Sequence, residues 1–545
     1  MRTTKWLVAI VALTLWACGD DSSDDVGNTG GAAGSSGVGG SGGSTGGAAG
    51  TGGAGGIPVT GSALCTTQPA ATPTTCSSVS QWGITWTFDS DYPCGQFVNG
   101  DYWVTPAASG GTVAITSITP DAAGGKNGFM VNPSETDSQA FDSGGPGYDA
   151  SLMPALPYAA SAGDSIVKSV SLASGCDKSC LQTAAVLTVL ETPPPATAFR
   201  PAYFGGAASK QLYCSDSLSL GSLSLLATTA AVDAEAPSLA AVTNTVVRVQ
   251  LNYFGSWAGE QIRPVDNFQK DDPYGPEVSN NNSDAILRVL LQRPGDSDAD
   301  RESAAVALCQ YGIDNDAVFA SGKAGWRADG GHGLGMKLPI AFTALVLNDE
   351  AMAKRVKNAE RSAFAESDQV HAGAKGEVIW GQDRCKYQDA TGETEYWYDI
   401  QNSPQTKTCL DPYLLIDGGA EPGGYYQGCC TSQALKGSAL VVRLIPALAP
   451  IWNDDLVLSY ADRWVTSGVY TQPDYCAPPS QGGGPDTSNP GHCIPDPDLE
   501  QCATYPDCPC QAGKECGRFP ALHGTGADSG LHGSAFADAM WTAFR

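Results

Sequence analysis

The apolar residues of this chain repeat at two different intervals, and the change falls part-way along it. Between residues 82 and 251 they alternate in short runs, and from residue 283 they recur three and four apart. Alternation buries one face of a strand, whereas recurrence at three and four buries one stripe of a helix. The sequence therefore predicts a multidomain protein, with an N-terminal β-sandwich-like domain followed by an all-α domain. The β runs cover residues 83–88, 100–104, 111–116, 166–172 and 183–190, with 246–251 closing the set, and Gly and Pro punctuate them. Predicted helices cover 283–291, started by a capping Ser283, then 298–319, 339–347, 350–356, 431–448, 456–465 and 534–544. In the second of these Ala304, Ala305, Leu308, Cys309 and Ile313 point inward. Gly-rich loops separate the helices, which predicts a ring or bundle.

The first sixty residues lie outside this pattern. Arg2 and Lys5 precede an apolar run from Trp6 to Trp16, too short to span a bilayer as a stable helix, which ends in Leu15-Trp16-Ala17-Cys18. A basic start, a short apolar core and a small residue before a cut are the marks of a secretory signal. The Cys after that small residue resembles the lipobox of bacterial lipoproteins. The resemblance implies diacylation of Cys18 and stable anchoring by two or three acyl chains. An ordinary signal peptide with an incidental Cys is the alternative. Residues 28–56 are nearly all Gly, Ala, Ser and Thr, which cannot build a core. As a flexible coil, about thirty such residues reach roughly 30 Å. The expected layout is a signal and lipidation site over residues 1–18, a disordered tether over 19–60 and a β-rich domain over 61–250. A helical domain over 251–474, a Cys-rich insertion over 475–517 and a closing helix over 518–545 follow. The expected location is that of an exported lipoprotein anchored to a bacterial membrane, at the outer membrane or cell surface, with the leaflet left open.

Charge and cysteine narrow the function. The net charge of −27 argues against nucleic acid as a partner, since phosphate backbones need a basic surface. Eighteen cysteines fit an oxidising compartment, and setting Cys18 aside leaves an odd number. Cys176 and Cys180 are spaced for a local clip. Cys476, Cys493, Cys502, Cys508, Cys510 and Cys516 fall in a Pro-, Gly- and Asp-rich stretch and read as a stapled loop of unassigned connectivity. A zinc knot is the rival there, although Cys508-Pro509-Cys510 lacks paired C-x2-C spacing. Cys429 and Cys430 read as buried thiols. No cofactor or metal site is predicted, and a divalent metal is left open.

The chain has five histidines. His332 stands in Arg327-Ala328-Asp329-Gly330-Gly331-His332-Gly333-Leu334-Gly335, where absent side chains leave room for a polymer. Two more Gly-rich stretches precede helices. One holds Tyr425 and Tyr426, and the other holds His523, Asp528 and His532. A fourth, Ser279-Asn280-Asn281-Asn282-Ser283, reads as a loop at a helix start. Turns and caps alone account for each singly; together they point to one shared cleft.

Four segments resemble a set of large exported proteins of environmental bacteria. They are Phe199-Arg200-Pro201-Ala202-Tyr203, Gln310-Tyr311-Gly312-Ile313-Asp314, Gly330-Gly331-His332-Gly333 with Lys337-Leu338-Pro339-Ile340, and Gly533-Ser534-Ala535-Phe536-Ala537 with Met540-Trp541. Their layout, a β domain beside an α/α toroid, is similar to polysaccharide lyases of the alginate and heparinase type. That similarity implies β-elimination on a uronic-acid polymer. Asn281, Asn282 or Arg327 would neutralise the carboxylate, His332 would remove the C5 proton, and Tyr425 or Tyr426 would protonate the leaving oxygen. Asp329, Lys337, His523, Asp528 and His532 would bind substrate. A glycoside hydrolase is one rival, with Asp329, Glu377, Glu421 and Asp528 as carboxyl groups. A non-catalytic glycan-binding lipoprotein is the other, with Trp82, Trp86, Tyr102 and Trp103 stacking on sugars or else packing as core.

Overall fold

A computed structural model describes residues 59–66, 70–174, 176, 178–255, 257–269, 272–372, 378–381, 427–467 and 532–545. Cys18, the tether, Glu377, Glu421, Tyr425, Tyr426, His523, Asp528 and the six cysteines from Cys476 to Cys516 lie outside them. Eight strands form one sheet: β1 (Thr74–Gln81), β2 (Ile84–Gln96), β3 (Tyr102–Val104), β4 (Val113–Thr119), β5 (Phe129–Val131), β6 (Tyr158–Ala160), β7 (Ser165–Ser171) and β8 (Leu181–Val189). The order is β5-β7-β8-β3-β2-β4-β6, with β1 on β2. Two facing sheets were expected, and a single curled sheet, a half-barrel, is found instead. The cause is β2, which pairs with β4 through Thr85–Phe88 and with β3 through Cys94–Gln96. Two arms leave one long strand at different heights and close over Trp86, Ile115, Ile118, Ile166 and Leu187. Trp86 and Trp103 are fully buried, so neither can stack on a sugar, and Trp82 is covered by the Arg248 guanidinium.

The β7–β8 hairpin joins this region to the rest. Ile166, Ala185 and Leu187 face into the curl, whereas Val167, Ala184 and Val186 belong to the core shared with the helices. Burial on both faces is why β8 is buried at every position but Gln182, with Ala184–Leu187 as a continuous apolar run. A buried charge cluster adds a second joint. Arg200 donates to Asp101 beside β3 and, through two nitrogens, to Asp314 in the helical region.

Among the described residues, the helices of eight or more residues are α1 (Leu239–Val246), α2 (Gly275–Leu290), α3 (Asp298–Ala320), α4 (Lys337–Val346), α5 (Glu350–Lys357), α6 (Ser432–Leu444), α7 (Asp455–Ser467) and α8 (Ala535–Phe544). Two expectations are corrected. Residues 246–251 form no strand, because Ser238 caps α1 and Val246 is its last residue. Nor is Ser283 a cap, since α2 begins eight residues earlier, with Pro276 and Glu277 in its first turn. The Asn run is therefore mid-helix. It tolerates its poor propensity because all three side-chain amides donate to carbonyls of other segments.

Disulfides join Cys65 to Cys214, Cys76 to Cys94 and Cys176 to Cys180. Only the last was anticipated. Cys430 is disulfide-bonded, which corrects its reading as a thiol. Cys309 is a free buried thiol, and burial pushes its pKa up. Among the described residues, no single helix is long and apolar enough to cross a membrane.

Candidate functional site

The His332 loop lies against the start of α2, and two glycines permit the approach. A Cβ on Gly331 would stand 2.6 Å from the Tyr274 hydroxyl oxygen, and one on Gly275 would stand 1.9 Å from the Gly331 carbonyl oxygen. Backbone can meet backbone only where both lack side chains. The loop is then pinned from several sides. Gly331 donates its N–H to the Tyr274 hydroxyl at 3.0 Å, and His332 donates its own to the Asp329 carbonyl. Asp368 accepts from Ala328, and Asn282 donates to the Gly335 carbonyl at 2.8 Å. Buried Glu366 accepts from the N–H groups of Gly335 and Lys337, and its burial raises its pKa.

The His332 side chain meets Glu260, which sits on the short helix Ala258–Ile262. His332 Nδ1 is 2.5 Å from Glu260 Oε1. A carboxylate can only accept, so the proton sits on Nδ1 and the lone pair of a neutral imidazole is on Nε2. The Tyr274 ring stands edge-on to His332, with centroids 5.0 Å apart. On the same tyrosine, at 5.2 Å, stands a second imidazole, that of His532. It too is held by a glutamate, with Nδ1 3.0 Å from Glu277 Oε1. The contacts therefore run Glu260–His332–Tyr274–His532–Glu277. Tyr274 is buried, whereas the imidazoles keep 25% and 17% of their side-chain surface, so the histidines are the groups a solute can reach.

A cation comes from the β region. Lys178 Nζ lies 5.8 Å from the Tyr274 ring centre and pairs with Asp272 at 3.1 Å. It rides on the Cys176–Cys180 clip, which docks on the segment that carries Glu260. Cys180 donates its N–H to the Gln261 carbonyl, and the Ser179 hydroxyl donates to the Arg263 carbonyl. Trp257, three residues before Glu260, is 54% exposed.

Of the residues predicted for the site, His332 and His532 come together. Arg327 is exposed on the same loop, and Asp329 is half-buried beneath it. Asn281 and Asn282 donate to the Asn267 and Gly335 carbonyls and so brace backbone. Lys337 is buried, bonded to the Ser367 hydroxyl, with Nζ 4.4 Å from the Trp452 ring centre; burial lowers its pKa to about 8. Sequence reasoning missed Glu260, Tyr274, Glu277 and Lys178. Glu260 and Glu277 lie 72 and 255 positions from their histidines, a separation that leaves no local signal. The sequence Gly275-Pro276-Glu277 is a helix-start signal that could have placed Glu277 in a first turn, though it says nothing of His532. Among the described residues, no three His, Cys, Asp or Glu side chains are grouped to hold a metal.

Comparison of the chain with protein-family models, with curated proteins and with solved structures finds no match.

Proposed function

We propose that this protein is a surface-anchored polysaccharide lyase that cleaves a uronic-acid polymer by β-elimination. The observation that carries the reading is the His332–Glu260 pair against Tyr274, within reach of the Lys178 ammonium. A carboxylate-held imidazole is a general base whose second nitrogen is available. Elimination also needs positive charge at the uronate carboxylate, because the carbanion at C5 spreads its charge there. Lys178 supplies it, in the role first given to Asn281, Asn282 or Arg327. His332 Nε2 takes the C5 proton, the electron pair forms the C4–C5 double bond, the C4–O bond breaks, and the leaving oxygen gains a proton. Exposed Trp257 offers a face for a neighbouring sugar ring.

The wider reading keeps the lipid on Cys18 as the anchor, the Gly-rich segment as the tether and the helices as a toroid around the His332 site. A membrane and an anionic glycan are then the two partners. Local cations such as Lys178 let an acidic protein accept that glycan.

Assay of uronate polymers for the ultraviolet band of a 4,5-unsaturated product tests the reading. His332→Ala should lower turnover about 10²–10⁴-fold with the fold retained. Lys178→Ala should weaken turnover of carboxylate-bearing polymers and leave the binding of neutral glycans unchanged. New reducing ends without the band would instead mark a hydrolase, and binding without either would mark a glycan-binding protein. Each result would sink the lyase reading.

A further inference from the structure

One face of α2 is given over to the C-terminal segment. Glu277, Asn280 and Asp284 are spaced three and four apart, so they share one side of the helix. Glu277 holds His532 Nδ1, and Asn280 donates to the His532 carbonyl at 2.8 Å. Asp284 accepts from Ser534, whose hydroxyl also caps α8. The segment is fixed further along by the buried pair Lys436–Asp538. Between these anchors His532 has φ +53, a left-handed backbone uncommon outside glycine. Strain of that kind persists only where the surroundings over-determine it. Neither His532 Nε2 nor His332 Nε2 has a hydrogen-bond partner among the described residues.

We infer that His532 is the proton donor of this site, working against His332 from the other side of the sugar, and that the substrate is a uronate whose C5 hydrogen and C4 oxygen are trans. The inference rests on the elimination reading above. When the two groups are cis, one side chain on one face can take the C5 proton and return it to the leaving oxygen. When they are trans, base and acid must stand on opposite faces. Two separately anchored imidazoles, each in contact with one tyrosine ring and each backed by its own carboxylate, match the second case. His332 enters as the neutral base and His532 as the imidazolium, which Glu277 stabilises. The C5–H bond breaks toward His332 Nε2, the C4–O bond breaks, and His532 Nε2–H gives its proton to that oxygen. The products carry the chain's atoms unchanged, and no oxidant, reductant or water is consumed. Galacto-, gulo- and ido-configured uronates have the trans arrangement; gluco- and manno-configured ones do not.

The test uses the full chain on four polymers. Polygalacturonate and polyguluronate are trans, and polymannuronate and hyaluronan are cis. Unsaturated product from a trans polymer and none from the cis pair is expected. Product from a cis polymer overturns the inference and leaves the lyase reading standing, whereas product from none of the four overturns both. A second arm reads the donor itself. His532→Gln and His532→Ala should lower kcat on the trans polymer about 10²–10⁴-fold with little change in KM. On a trans uronate with a 4-nitrophenoxy group at C4, which leaves without a proton, the same variants should lose less than tenfold. His332→Ala should lose activity on both substrates. Equal losses for the His532 variants on both substrates would assign His532 to structure and defeat the donor role; thermal unfolding of each variant separates that result from misfolding.

Discussion

The β region and the helical region bury polar side chains over different distances along the chain. In the sheet, Asn99 bonds Asp101 two residues on, Tyr158 bonds Asp164 six residues on, and Asn132 reaches the same aspartate 32 residues away. In the helical region Lys436 meets Asp538 across 102 positions and Asn280 meets His532 across 252. Short-range bonds shape turns and strand ends. Long-range ones specify which surfaces meet, and they need a large apolar core to offset the entropy of closing such loops. The five residues of the Glu260–His332–Tyr274–His532–Glu277 run all lie on helices or loops of the second region, and Lys178 joins them from the first. The site therefore depends on the joint between them.

Breaking that joint should have the largest effect. Asp314→Ala leaves the buried Arg200 charge with Asp101 as its remaining carboxylate, and loss of one partner of a buried pair typically costs about 3–5 kcal/mol. Denaturant unfolding should show both regions losing stability together. A loss confined to one of them would show that Arg200 does not couple them.

The disulfides sharpen the contrast. Replacing Cys76 and Cys94 by Ala should cost about 2–4 kcal/mol, the usual range for a native crosslink, with turnover per folded molecule unchanged. Replacing Cys176 and Cys180 opens a loop of sequence separation 4, so stability should fall less. KM for a uronate polymer should nonetheless rise, since the clip carries Lys178. Unchanged KM would remove Lys178 from the site.

Within the helical region, Gly331→Ala forces a Cβ against the Tyr274 hydroxyl. Overpacking of this sort costs about 1–3 kcal/mol. The larger change should be in kcat, because His332 is the next residue. A variant with wild-type kcat would mean that the loop's placement is not critical to its chemistry.

The smallest effect concerns Lys337. An unfolded chain keeps this proton up to about 10.5, and the folded protein releases it at about 8. Between those values the unfolded state binds more protons, so the group makes stability rise with pH across that window. Below it the lysine is charged in both states and the burial cost is fully present. Lys337→Met should flatten the rise, seen by comparing chemical denaturation at about pH 7 and about pH 9.5. An unchanged slope would assign it to other groups.

Secondary structure was legible where one period dominated. The alternating runs became β2, β4, β7 and β8, and the periodic stretches at 298–319, 350–356 and 534–544 became α3, α5 and α8. The Asn run misled because Asn lowers helix propensity locally, and only its distant carbonyl partners reverse that. Val246 misled for a related reason: a β-branched residue at the end of a helix looks like the start of a strand. Among the site residues, His332 was visible through its glycines and His532 through the Gly-rich stretch before α8. Tyr274, Glu260 and Glu277 carry no such mark, because a residue in a helix start or short turn looks alike with or without a partner.

By itself the sequence determined the order of a β part and a helical part, the Cys176–Cys180 spacing and the Gly-rich loop around His332. All of these follow from periodicity, backbone freedom or reach within a few residues, which are local properties. Tertiary structure alone decided that the sheet curls from β2, that α2 begins at Gly275, and that two glutamates hold two histidines around one tyrosine with Lys178 beside it. Those outcomes depend on which buried surfaces meet across 72 to 255 positions of chain. The free energy that selects them is the joint burial of distant apolar faces, a quantity that no window of neighbouring residues contains.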